Sequence, residues 1–539
     1  MPKRARIVSI PMPTLGVDAG MPSTFINARS AVSGTSNVRF DHGYAGPRPG
    51  SAKLGSASLP FTDEVILGLA AFYEIDGDQI LLAITNADVK RYIDASDMWT
   101  ALDISGLTND PLQGSVNSPI SFAHLAHDGS GGNAGTWYFA VCNEKNPVFL
   151  WDGTNNPENL LGADGYNASI TTHIAKQIFS YKNSLCLLAP QIDGIEQPQR
   201  IQWSATGDIT EWDFTTTNAG FLDDPPGYFQ WAAPLSNYYV LYKKDAIAIL
   251  SYTGGVDLFR IDTVVQGGGL LSPGMLAVLE GEHIYISKDN VFRWGGGPTP
   301  TPIGDRIFQD LADNLNWDAI DASRTLIDKE NNHIIFYIPS GSSSFANRAY
   351  VYDYRENWWS IDDYPTNNVT AVGMWGSYSA LYWSDIADDF TWSDWTTETW
   401  ADLAPTEGQN IPIIGDDTGY IFSLSLSSKN DNISAIDQIY MTPYIVPDKN
   451  EYQSRRTRYL SIEFEAKGDS VTVSRTPDDG DATWTSIGTQ ALTSSWTRYK
   501  LNYSTTERRL RFKFQNNSAA SNFQIRWVGV KVIPRGGGT

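Results

Sequence analysis

From about residue 64 to 425 one pattern recurs: an apolar strand, a short turn, a second strand, then an aromatic residue and another turn. The units begin near residues 66, 119, 174, 229, 275, 324 and 370, a spacing of roughly 46–55. Periods of about 40–50 residues built from short strands are the signature of a β-propeller, one four-stranded blade per repeat. The grammar inside a unit agrees. In EGEHIYISKDNVFRWGG, Ile284, Ile286 and Val291 alternate, so one face is buried, and Lys288-Asp289-Asn290 supplies turn residues that tolerate the left-handed region. Composition points the same way. Gly 46, Pro 28, Trp 18 and Tyr 26 suit strands and turns far better than long helices. The expected fold class is all-β, with a propeller of about seven blades, six and eight remaining open.

Two appendages flank the repeats. Residues 1–60 are rich in Gly, Pro and Ser with little periodicity, as in an extended arm that orders against a partner. Residues 431–539 carry seven alternating segments with turn signals about every 10–15 residues, which reads as a jelly-roll-like β-sandwich. In ERRLRFKFQ, alternation sends Leu510, Phe512 and Phe514 inward and Arg509, Arg511 and Lys513 outward. The expected boundaries are therefore an arm at 1–60, a propeller at 61–430 and a sandwich at 431–539. On this reading, removal of the arm spares the fold, because a propeller closes on itself.

The net charge of −22 excludes a nucleic-acid binder that works by overall basicity. It also conceals a division. Residues 1–60 hold seven basic and two acidic side chains, residues 437–539 hold 15 and 10, and the stretch between holds 17 and 49. Basic ends on an acidic body can pair with neighbouring copies; plain solubility explains the same pattern. The densest basic patches are Arg455, Arg456 and Arg458, and Arg508, Arg509 and Arg511, candidates for an inter-subunit or DNA-facing surface or simply a solvated face.

Catalytic signatures are not found. The chain has no GxSxG, P-loop, HExxH or CxxC, and its glycine runs precede no helix. His124 and His127 lie three apart without a carboxylate at ligand spacing, which disfavours a metal there. Cys142 and Cys186 sit in apolar runs and read as buried small hydrophobes. Trp151, Trp212, Trp294, Trp358 and Trp359 read as packing between blades. Trp392, Trp395 and Trp400 in WSDWTTETW fit either packing of the last blade or a sugar platform. No cofactor is implied.

The stretch NARSAVSGTSNVRFDHGYAGPRPG resembles the opening of podovirus-type phage tail nozzle proteins, also called packaged-DNA stabilisation or tail tubular proteins. An Asn-x-Arg…Gly…Arg-Pro-Gly pattern precedes a propeller in that family. Here Asn37, Arg39, Gly43, Arg48, Pro49 and Gly50 match it, and Arg200 to Phe214 and Ala349 to Ile361 are similar to recurring blade phrases. The resemblance covers residues 25–425 loosely. It implies a structural virion protein, not an enzyme, made in the host cytoplasm and assembled as a hexameric ring below the portal and adaptor, where it forms the DNA exit channel. The implied partners are copies of itself, portal and adaptor proteins, tail fibres or a needle, and passing double-stranded DNA that is not read for sequence. Membrane insertion is not expected. Within that picture Arg29, Asn37, Arg39, Arg48, Pro49 and Gly50 form an adaptor-docking arm. The acidic pairs Asp223-Asp224, Asp362-Asp363, Asp388-Asp389 and Asp416-Asp417 line the channel, although each also reads as an exposed turn. A receptor- or carbohydrate-binding tail protein is the alternative, and a propeller-type glycan hydrolase the second.

Overall fold

The computed structural model describes residues 5–21, 26–55, 61, 64–73, 79–93, 97–107, 111–126, 136–160, 173–209, 211–212, 218–255, 258–364, 368–376, 410–445, 457–477 and 483–534. Among the described residues, seven four-stranded antiparallel units follow one another round a ring. Their innermost strands are Ile66–Tyr73, Ser121–Ala126, Gln177–Tyr181, Phe229–Leu235, Leu276–Leu279, Arg324–Asp328 and Val369–Trp375. All begin within three residues of the positions expected from the repeat. Each packs against the next, and the seventh packs against the first. The ring is a seven-bladed propeller.

Local chemistry explains the hairpins. In the fifth blade, Asn290 Oδ1 accepts from the backbone amides of Val291 (2.7 Å) and Gly304 (3.1 Å), tying the turn to the strands that follow. In the sixth, Asn332 and Asn357 occupy the left-handed region (φ 60° and 59°), which asparagine tolerates better than most residues. The expected apolar face is confirmed, with Ile284, Ile286 and Val291 fully buried. Between blades the fill is aromatic. Phe72 of the first blade lies 5.4 Å from Phe139 and 5.6 Å from Trp151 of the second, and Phe179 of the third stacks on Tyr239 of the fourth at 4.3 Å. Such pairs contribute about 0.5–1.5 kcal/mol each beyond area burial. All five tryptophans read as blade packing are buried.

Closure departs from the sequence reading. Among the described residues the seventh blade draws three strands from the repeat region: Val369–Trp375, Ile411–Asp416 and Ile421–Ser425. Its outer strand is Gly50–Lys53, antiparallel to Ile421–Ser425 with Ser51 opposite Leu424. The seam to the first blade is sealed by an edge-on contact of Tyr92 with Trp375 (5.8 Å). It also needs a glycine at 415, where a Cβ would lie 2.7 Å from Ile66 Cγ2.

The sandwich also borrows from the N-terminus. One sheet runs Arg6–Ile10, Phe523–Pro534, Thr457–Gly468, Thr497–Glu507; the other runs Gln438–Met441, Arg511–Asn516, Ser470–Thr476, Thr485–Ala491. Seven strands come from the C-terminal region, and the eighth from residues 6–10. Between these two borrowed strands, Val38–Arg39 packs along Trp358–Asp363, the outer strand of the sixth blade. Residues 5–53 thus cover sheet edges that would otherwise be open to pairing with another chain. The expected division at residue 60 is corrected accordingly. The N-terminal segment belongs to propeller and sandwich alike, and one apolar core runs from Tyr242 and Trp294 through Val17, Val38 and Phe40 to Ile462 and Phe514.

Candidate functional site

The residues that carry the Asn-x-Arg…Arg-Pro-Gly pattern converge on one place, between the sixth blade, the seventh blade and the sandwich. Arg39 makes a bidentate pair with Asp362 (2.7 and 2.6 Å), and both side chains are almost fully buried. Burial works to lower the Arg39 pKa, but the facing Asp362 carboxylate outweighs it and the net direction is up. Arg48 pairs with Asp431 through both terminal nitrogens, gives Nε–H to Asn37 Oδ1 (2.8 Å) and lies over the Tyr364 ring at 4.3 Å. Its pKa is also raised, against the opposing effect of burial, by Tyr364 and Asp431. Burial pushes the Tyr364 hydroxyl up to about 12. Asn37, itself at φ 58°, donates to Asp437 O and accepts from the Asp363 amide. Gly50 is required by crowding, since a Cβ there would meet Asn430 O at 2.4 Å and Ser428 O at 2.5 Å.

This arrangement corrects the docking surface read from the sequence. Asn37, Arg39 and Arg48 are 3%, 3% and 2% exposed and spend their hydrogen bonds within the chain. Gly50 is buried and Pro49 half-buried; Arg29, in the turn at 27–30, is the member left on the surface. Asp362 is no channel lining either, because it is the buried partner of Arg39. Asp416 is buried and closes its own turn, accepting from Thr418 N (3.0 Å) and Tyr420 N (2.7 Å). Asp363 faces Arg348 at 3.6 Å, and Asp417 accepts from Asn368. Asp223 and Asp224 are exposed, on the loop that leads into the fourth blade.

The basic patches divide as well. Arg458 and Arg508 are exposed, whereas Arg511 is 3% exposed, covered by Tyr444 and Trp484 at 5.4 and 5.3 Å, with Arg509 over Tyr444 at 4.6 Å. The inward set Leu510, Phe512 and Phe514 is fully buried, as alternation requires. Arg455, Arg456, His127, Asp388, Asp389, Trp392, Trp395 and Trp400 lie outside the described residues.

A second feature, invisible in the sequence, lies at the propeller axis. A cavity of about 150 Å³ is lined by Leu67, Leu69, Ile120, Phe122, Trp231 and Arg324, among others, from the inner strands. That volume holds a few waters or a small molecule. Arg324 is anchored by the carbonyls of Ser323 (2.7 Å), Val116 (2.8 Å) and Asp321 (3.1 Å). Burial lowers its pKa to about 10, although Asp321 and Glu144 favour the cation. Glu144, held at φ 60° in a loop of the second blade, is pushed up to about 7 by burial, with Asp321 adding and Lys176 and Lys145 opposing. Its Oε1 is buried without a hydrogen-bond partner among the described residues. No short motif marks Glu144 or Arg324, which are brought together only by ring closure.

No family model matches this chain, and no curated protein does. Solved structures similar to it include YCF48 from Cyanidioschyzon merolae, 8% identical over 70% of this chain and 99% of that one, with a TM-score of 0.38. The AfRom2 CNH domain is 10% identical over 70% and 99%, with a TM-score of 0.35. A structure titled glycoside hydrolase is 11% identical over 88% and 100%, with a TM-score of 0.26. The propeller assignment rests on the strand order and ring closure described above.

Proposed function

We propose that this chain is a structural virion protein of a phage tail, the subunit of a nozzle ring through which packaged DNA leaves, and that it catalyses no reaction. The observation that supports this most is the fate of the resembling residues. Asn37, Arg39, Arg48 and Gly50 are the bracket that locks arm, sixth blade, seventh blade and sandwich together. A part that must hold its shape under pressure from DNA gains from such a lock. The inner strands converge on a cavity of about 150 Å³, far less than a duplex needs, so on this reading the conduit lies between subunits, with exposed carboxylates such as Asp223 and Asp224 keeping phosphate mobile. Partner docking then falls to exposed surface, with Arg29 the candidate in the arm.

Mass photometry and negative-stain imaging of the protein, alone and with a portal–adaptor complex, test the reading. A closed ring formed on the complex supports it. A stable free trimer, or a monomer indifferent to the portal, sinks it in favour of a receptor- or glycan-binding tail protein.

A glycan hydrolase stands second because of one observation. Burial pushes the Glu144 carboxyl up to about 7, with Asp321 adding, and Glu144 in turn acts on Arg324, the buried arginine that lines the axial cavity. A carboxyl of raised pKa near a second acidic side chain is one element of an acid–base glycosidase site. Release of reducing ends from host polysaccharide, lost in Glu144→Gln, would establish it; no release from any host glycan removes it.

A further inference from the structure

His333 opens the second strand of the sixth blade, with Asp353 of the third strand directly opposite in register. Asp41, from the short 3-10 turn that follows Val38–Arg39, reaches the same point from the N-terminal segment. The Nε2 atom of His333 lies 3.1 Å from Asp41 Oδ1 and 3.8 Å from Asp353 Oδ2, and the three donor atoms all fall within 4.8 Å of one another.

We infer that His333, Asp353 and Asp41 form a binding site for a divalent transition-metal ion of the zinc type, which clasps the N-terminal segment to the sixth blade. The spacing is that of a ligand set. Metal–ligand bonds of about 2.1 Å at tetrahedral angles put neighbouring donors about 3.4 Å apart. The two nitrogen–oxygen separations fall on either side of that value, so small side-chain rotations bring all three onto one ion. The donors suit a borderline ion, with one imidazole and two carboxylates.

Electrostatics points the same way. His333 and Asp353 are 4% exposed, so one imidazole and one carboxylate are shielded from water, with the partly exposed Asp41 closing the group. Among the described residues no Lys or Arg forms an ion pair with either carboxylate. Arg39 acts on Asp41 only at longer range, its fork being committed to Asp362. A divalent cation would balance the two charges, where a protonated imidazole balances one. Supporting contacts fix the orientation. Asp353 Oδ1 is held by the amides of Arg355 (2.8 Å) and Glu356 (2.6 Å), leaving Oδ2 for the site, and the His333 ring lies edge-on to Trp358 at 5.2 Å. Asp41 is one-third exposed, so an entry path and an open coordination position exist on its side. His42, next in the chain to Asp41, is exposed and lies 3.6 Å from Glu356.

The test is titration of the full-length, chelator-stripped protein with zinc chloride, read by calorimetry and by thermal unfolding, with three variants. The expected result is one zinc per chain with a dissociation constant in the micromolar range or tighter, and a higher unfolding temperature with zinc. Asp41→Asn, at a partly exposed position, should weaken binding at least tenfold, and His333→Gln should abolish it. Should His333→Gln fail to fold, Asp41→Asn alone decides. His42→Ala controls for adventitious capture by an exposed histidine. The inference is overturned if the parent binds no stoichiometric zinc, which leaves a hydrogen-bonded clasp only. It is equally overturned if Asp41→Asn binds like the parent, or if His42→Ala alone removes binding.

Discussion

Arg39 and Asp362 stand 323 residues apart in the chain, yet their side chains form two parallel hydrogen bonds of 2.7 and 2.6 Å in a site that excludes water. Removing one partner strands the other. Arg39→Met should lower stability by about 3–5 kcal/mol, whereas the apolar double variant Arg39→Met/Asp362→Leu should recover much of that loss. Urea midpoints of the single and double variants check this; equal midpoints for the single variant and the parent would refute it.

The seventh blade depends on Gly50. Gly50→Val places a side chain against the carbonyls of Asn430 and Ser428, both backbone and unable to step aside. A cost of roughly 2 kcal/mol or more is expected. The loss should be local, seen by hydrogen-exchange mass spectrometry as faster exchange in 50–53 and 421–425 while the third and fourth blades stay protected.

Deletion of residues 1–53 removes the outer strand of the seventh blade and one strand of the sandwich. The sequence alone suggests a harmless truncation; the structure predicts the reverse. The shortened chain should melt well below the parent and expose two new sheet edges, giving soluble aggregates on size-exclusion chromatography. A monomer of parental stability would contradict the role given to the arm.

Two buried groups set opposite pH slopes. Glu144, raised to about 7, holds its proton in the folded state at pH values where the unfolded chain has released it. Its contribution therefore falls as pH rises from about 4.5 to 7, by roughly 3 kcal/mol. His173, lowered to about 3 chiefly by burial with Arg200 adding, stays neutral where the unfolded chain is protonated. Stability from that source falls as pH drops below about 6.5. Glu144→Gln should flatten the first slope and leave the second, as measured by urea unfolding between pH 4 and 8.

Both cysteines should be silent to thiol reagents in the folded protein. Burial pushes the Cys142 thiol up to about 12 and Cys186 higher, so thiolate is scarce and access is closed. Labelling at pH 8 should modify neither until denaturant is added, then both.

The blades were legible in the sequence because their signals are local. Turn residues such as Asp289-Asn290 and the alternation around Ile284 sit within a few positions of the structure that they specify. The bracket was not legible for the opposite reason. The charges on Arg39, Arg48, Asp362 and Asp431 were in view, but their pairing depends on closing loops of more than 300 residues; the family resemblance instead sent Arg39 and Arg48 to a docking surface and Asp362 to a channel. Arg511 shows a narrower limit. Alternation gives the direction of its side chain correctly, but not the cover of Tyr444 and Trp484 that takes it from solvent. The site at Asp41, His333 and Asp353 escaped because no two of its members share a local spacing.

The strand at 50–53 also sets a clock. It leaves the ribosome well ahead of its hydrogen-bonding partner at 421–425, which is made some 370 residues later. At synthesis rates of about 5–20 residues per second, it waits roughly 20–75 s with its edge unpaired. For that interval the nascent chain carries an unsatisfied strand beside growing blades that offer edges of their own. Chains translated side by side on one message could exchange these strands, so the speed of translation past residue 425 becomes a determinant of whether each ring closes on itself.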